Sequence, residues 1–142
     1  MRMGPDGLLY VAQAFGSQIS SVDPATGAAR VVSAADGAII APDDLAFDSH
    51  GNLYATEVMS ARVSVIRPNG AIDVIAGDVP VANGITVHAD RIFMSEFRPE
   101  GRDLGTLCRW CRAPPDRVRA DDAERAVPGA GRLAVFPAGS VG

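Results

Sequence analysis

Short apolar runs take turns with polar turn signals along residues 1–99, and the runs are bounded by Gly, Pro, Asn or Asp. Short runs rich in Val, Ile and Tyr with such punctuation predict β-strands joined by turns. The strands expected are 8–13, 44–48, 53–57, 62–66, 72–76, 85–88 and 92–96.

The runs repeat. Gly7-Leu8-Leu9-Tyr10-Val11-Ala12-Gln13 returns as Gly51-Asn52-Leu53-Tyr54-Ala55-Thr56-Glu57, and again as Asp90-Arg91-Ile92-Phe93-Met94-Ser95-Glu96. Aligning Tyr10, Tyr54 and Phe93 gives spacings of 44 and 39. Gln18–Pro24 maps onto Arg62–Pro68 at the same 44. A unit of ~40–45 residues with four strands is a propeller blade. The middle unit is complete: inner strand 44–48, then 53–57, 62–66 and the outer strand 72–76. The first unit is expected to begin at its second strand and the third to stop after 96. The expected fold is therefore all-β, a partial β-propeller of about two and a half four-stranded blades, followed by an irregular C-terminal tail. Open blade faces and edges predict marginal stability alone and self-association through the exposed blade edges.

Composition changes near residue 100. The last 43 residues hold 7 of the 13 Arg and 4 of the 10 Pro, with no Ile or Tyr. Two regions follow: 1–99 as the partial propeller and 100–142 as an irregular tail, read as an out-of-frame or disordered stretch. Arg117–Arg125, with mixed charge, reads as one short helix or a loose solvated stretch. Cys108-Arg109-Trp110-Cys111 is a C-x-x-C without the second pair that zinc needs or the βαβ setting of a redox site. A net charge of −4 supplies no attraction for nucleic acid or an anionic membrane. No apolar run approaches the ~20 residues that span a bilayer, and Met1-Arg2-Met3-Gly4-Pro5 lacks the apolar core of a signal peptide. The expected location is the cytoplasm.

Ala41-Pro42-Asp43-Asp44-Leu45-Ala46-Phe47-Asp48-Ser49-His50-Gly51-Asn52-Leu53-Tyr54 resembles the "PDG-apolar-x-apolar-D-x-x-G-x-L-W/Y" motif of the regucalcin/gluconolactonase family. Val81-Ala82-Asn83-Gly84-Ile85 resembles that family's "SNG/PNG-apolar" motif. The resemblance covers residues 4–99. Strictosidine-synthase-like proteins, streptogramin lyases and NHL-repeat proteins share the repeat motif. The resemblance implies a six-bladed parent that hydrolyses sugar lactones and related esters, with one divalent metal ion (Ca²⁺, Mg²⁺ or Zn²⁺) per complete propeller. It implies Asp43 and Asn83 as metal ligands and Asp43 as the base that activates water. A third family ligand, a Glu near the first inner strand, has no counterpart here, and Asp44 stands where the family has Gly. The implied partner is a small-molecule lactone or ester. The alternatives are a non-enzymatic NHL-like binding propeller, a truncated product without activity, and a streptogramin-lyase-like or strictosidine-synthase-like propeller.

The residue types suit that chemistry. Carboxylate and amide oxygens are the donors that hard cations take, and a bound divalent ion polarises a carbonyl and acidifies water. Two ligands are too few for a site. Asp and Asn are equally ordinary turn residues. Glu57 and Glu96 end equivalent strands, which repeat structure alone explains. His50 falls in a turn and His88 at a strand end, positions that suit solvated and structural roles.

Overall fold

The computed structural model describes residues 1–88, 91–100 and 103–112, with side chains described as far as residue 96. The strands are β1 (Arg2–Met3), β2 (Leu9–Gln13), β3 (Gln18–Val22), β4 (Ala29–Ser33), β5 (Pro42–Phe47), β6 (Leu53–Glu57), β7 (Arg62–Ile66), β8 (Ile72–Ala76), β9 (Ala82–His88), β10 (Arg91–Glu100) and β11 (Asp103–Arg112). One 3-10 turn, Ala14–Gly16, follows β2. The strands form three antiparallel meanders, β1-β2-β3-β4, β5-β6-β7-β8 and β9-β10-β11.

Period-two alternation explains how the sheets stack. In the middle sheet Leu45, Leu53, Ala55 and Ile66 face the first sheet, where Ile19 and Ile39 meet them beside Tyr10, Ala12 and Val32. Ala46, Tyr54, Val63 and Val65 face the other way, against Val79, Ala82, Ile85, Ile92 and Met94. Neighbours on one strand thus serve opposite cores, as a pleated strand requires. Each large side chain so buried stabilises by roughly 1.5–3 kcal/mol. The first strands of the middle and third sheets lie side by side, β5 on β9, and β5 also packs against β2 of the first sheet.

The turns are built on carboxylates. Asp48 accepts the His50 and Asn52 N–H groups (both 2.9 Å), the Asn52 side-chain amide (2.7 Å) and the Tyr54 hydroxyl (3.0 Å). In the first sheet the position equivalent to Asp48 is Gly4. There Asp6 reaches back instead, accepting the Leu8 N–H (3.1 Å) and the Tyr10 hydroxyl (2.9 Å). A Cβ on Gly4 would lie 2.5 Å from Asp6 Oδ1 and 2.6 Å from the Tyr10 ring. The glycine is needed because the substitute carboxylate occupies the space.

Strands β6, β7 and β8 fall where the pattern places them. Three expectations change. The first sheet is not missing its first strand: Arg2 and Met3 pair with Tyr10 and Leu9. The third sheet has a third strand, since β10 continues to Glu100 and pairs with β11 throughout. Strands β5 and β9 start earlier than 44 and 85, because a bulge lets pairing resume at Pro42↔Glu57 and Ala82↔Glu96. The side chains of Cys108 and Cys111, and all of Arg117–Arg125, lie outside the described residues.

Candidate functional site

The starts of β5 and β9 share a backbone pattern at a spacing of 40 residues. Ile39 and Val79 are buried, Ala41 and Val81 have left-handed φ of 49° and 50°, and Asp43 and Asn83 follow at the bulge. Left-handed backbone at a β-branched residue such as Val81 is strained, and persists only where its surroundings enforce it. Hydroxyls on the second strands close both bulges. Thr56 Oγ1 accepts the Asp44 N–H at 3.0 Å, and Ser95 Oγ accepts the Gly84 N–H at 2.9 Å. The Thr56 hydroxyl also donates to the Asn83 carbonyl, which couples the two sheets. Asp43 and Asn83 therefore occupy one position in adjacent inner strands, the first half-buried and the second exposed.

Asp44 is the residue that sequence reasoning undervalued. Its Oδ2 accepts the Ile85 N–H at 3.0 Å and lies 3.6 Å from the Arg2 guanidinium. Arg2 in turn donates to the Leu45 carbonyl (2.8 Å) and the Ile85 carbonyl (3.3 Å). One arginine from β1 thus crosses the inner edges of the next two sheets. The ion pair itself is partly exposed and adds little; the backbone bonds fix the spacing. The only available signal was Asp44 standing where a glycine is usual.

Glu57 is brought to this end of the sheet but is wholly engaged. Its Oε2 accepts the Ile40 N–H (2.8 Å), the Ser60 hydroxyl (2.8 Å) and Arg62 (2.7 Å), and Oε1 accepts the Ser64 hydroxyl. The Glu57 side chain is 0% exposed. Burial pushes its carboxyl up, but the bonds from Ser64, Arg62, Ile40 and Ser60 outweigh burial and hold it below the ordinary value. Asp48 behaves alike: burial raises it, and Asn52, Tyr54 and His50 bring it lower than usual. Both carboxyls have depressed folded pKa values, so their contribution is complete above the unfolded values of 4.5 and 3.8 and is lost as pH falls through the folded ones. The melting temperature is expected to drop as pH falls below about 4.5 and through the lower folded values, and to drop less in the Glu57→Gln, Asp48→Asn double variant. An unchanged pH slope in that variant would remove the role given to these two groups.

The histidines do not join the site. His50 is exposed in the β5–β6 turn and His88 is exposed at the end of β9. Glu96 is buried at the end of the side chains described in β10. Antiparallel order puts the β2–β3, β4–β5, β6–β7 and β8–β9 connections on the same edge as Asp43 and Asn83. That edge carries the exposed apolar residues Phe15, Ile40, Met59 and Val81. Polar turns occupy the opposite edge, with a shallow cavity of about 150 Å³ lined by Leu8, Ser21, Asp23, Ala28 and Arg30.

The donor set was tested for the divalent ion that the family resemblance implies. Ca²⁺ takes six to eight oxygens. Among the described residues no group of three or more His, Cys, Asp or Glu could hold a metal. Asp43 and Asn83 offer at most three side-chain oxygens, and Asp44 is spent on Ile85 and Arg2, whose charge opposes a cation. These residues do not by themselves fit the ion.

Three sheets side by side, each starting at a common inner edge, define the architecture. The chain is part of a β-propeller. Solved structures agree. Over 80% of this chain and 40% of theirs it matches a catalytically inactive virginiamycin B lyase from Staphylococcus aureus with quinupristin, at TM-score 0.59 and 19% identity. It matches the selenomethionine-substituted enzyme of that organism at 0.59 and 20% identity, covering 81% and 41%. A streptogramin B lyase structure matches at 0.58 and 18% identity, covering 78% and 39%. The propeller chain thus spans about two fifths of the length of these neighbours. No family model and no curated protein matches. No helix among the described residues is long and apolar enough to cross a membrane.

Proposed function

We propose that this chain supplies part of a small-molecule site in an ester-bond-cleaving propeller, with the ligand lying over the inner-strand edge at Asp43 and Asn83. The observation that carries the reading is that Asp43 and Asn83 stand at the same bulge position of adjacent inner strands. A base and an amide at one edge, rimmed by Phe15, Ile40, Met59 and Val81, combine few polar groups with apolar lining, as ligand sites do. Asp43 would act as the base, and Asn83 would orient the ligand. The propeller neighbours favour a lyase-like reaction, and the motif resemblance favours hydrolysis of a lactone.

Product mass separates the two. Hydrolysis adds one water to the ester, whereas elimination opens a ring at unchanged mass. The full chain is incubated with quinupristin and with a sugar δ-lactone, and products are read by mass spectrometry. Conversion of either is expected, with a loss of about 100-fold or more in Asp43→Ala, the scale on which a general base contributes. Conversion that Asp43→Ala leaves intact, or no conversion of either probe, would sink the reading.

The exposed apolar tips support a second reading, a binding propeller without chemistry. It predicts retention of an apolar ligand with no product, insensitive to Asp43→Ala.

A further inference from the structure

We infer that the open face of the first sheet is a blade-accepting surface, and that its occupant is the third sheet of a second copy of this chain. The repeat shows what such a face takes. Leu9, Val11 and Val22 are the repeat counterparts of Leu53, Ala55 and Ile66. The latter three are at most 8% exposed because the first sheet covers them. Leu9, Val11 and Val22 lie on the face of the first sheet turned away from that core, and all three are only half-buried. The same three positions thus exist twice in one molecule, once covered by a blade and once open.

The complementary surface is also present. In the middle sheet Ala46 and Tyr54 form the face that presses on the next blade. Their counterparts in the third sheet are Thr86 and Phe93, paired across β9 and β10. Strand alternation turns them away from Ile85, Ile92 and Met94, which pack on the middle sheet. Thr86 is exposed and Phe93 half-buried. A donor face and an acceptor face at opposite ends of one stack make a head-to-tail, heterologous contact. The inference rests on the repeat and on burial, and does not depend on the ligand reading.

The test is the mass of the full chain in solution, by chromatography with light scattering. Wild-type protein is expected at twice the chain mass or more, with a melting temperature that rises with protein concentration. Val11→Asp and Phe93→Asp are each expected at the mass of one chain. An equimolar mixture of the two should recover a two-chain species, because each variant keeps the face that the other lacks. Val74→Asp, on an exposed outer position of the middle sheet, should leave association unchanged. Wild-type protein that stays one chain with a concentration-independent melting temperature would overturn the inference. So would loss of association in Val11→Asp but not in Phe93→Asp, which would mean like faces pairing, or a mixture that fails to associate.

Discussion

Glu57→Ala is expected to destabilise the fold by about 3–5 kcal/mol, the scale seen when one partner of a buried charged network is removed. Four donors lose their acceptor at once: the Ile40 N–H, the Ser60 and Ser64 hydroxyls and the Arg62 guanidinium. Ser64 is wholly buried, and an unmet buried donor costs roughly 1–3 kcal/mol, whereas Ile40 is exposed and its N–H loses less. Arg62 keeps its bond to the Ala38 carbonyl at 3.1 Å and is partly exposed, so its share is small. Glu57→Gln retains the shape but offers one carbonyl oxygen and no charge, and should cost less than Glu57→Ala. Denaturant titration of the three proteins checks the order. A loss under about 1 kcal/mol for Glu57→Ala would show that the network carries no net stability.

Tyr54→Ala is the second large effect. Tyr54 is 0% exposed and sits in the core between the middle and third sheets. Truncating a buried aromatic costs about 3–5 kcal/mol. The same change at Tyr10, its repeat counterpart, is expected to cost less, because Tyr10 is only half-buried and packs edge-on to Phe47 at a centroid distance of 4.9 Å. Tyr54→Phe isolates the hydroxyl. It removes one bond to the Asp48 carboxylate and should cost about 1.5 kcal/mol. Equal losses for Tyr54→Ala and Tyr10→Ala would contradict the unequal burial of the two sheets.

The strands that sequence placed to the residue, β6, β7 and β8, have five residues each and belong to the one unit whose repeat is complete, with Gly51-Asn52 before the first of them, Pro68-Asn69-Gly70 between the last two and Gly77 after them. Strand β1 has two residues, too few to show a period. Its identity comes from pairing with β2, a long-range fact. The bulges at Asp43 and Asn83 were equally hidden, since they depend on hydroxyls of Thr56 and Ser95 a strand away. The candidate site was legible in part. The motif resemblance singled out Asp43 and Asn83, and both fall at the bulges of adjacent inner strands. What Asp44, Arg2 and Glu57 do was not legible, because each acts on the backbone of another sheet or loop. Asp6 shows the same limit: its carboxylate does the work of Asp48 from a different place in the repeat, which alignment by position cannot reveal.

The central claim is that Asp43 and Asn83 belong to one ligand-binding edge. Amide chemical shifts of the ¹⁵N-labelled full chain, followed as quinupristin or a sugar δ-lactone is added, test it most directly. The account predicts that the amides which move cluster at Ile40–Asp44 and Val81–Ile85, and that the movement is lost in Asp43→Ala. Shifts confined to the opposite turns, Asp48–Asn52 and Arg67–Ala71, or no shifts with either probe, would contradict it.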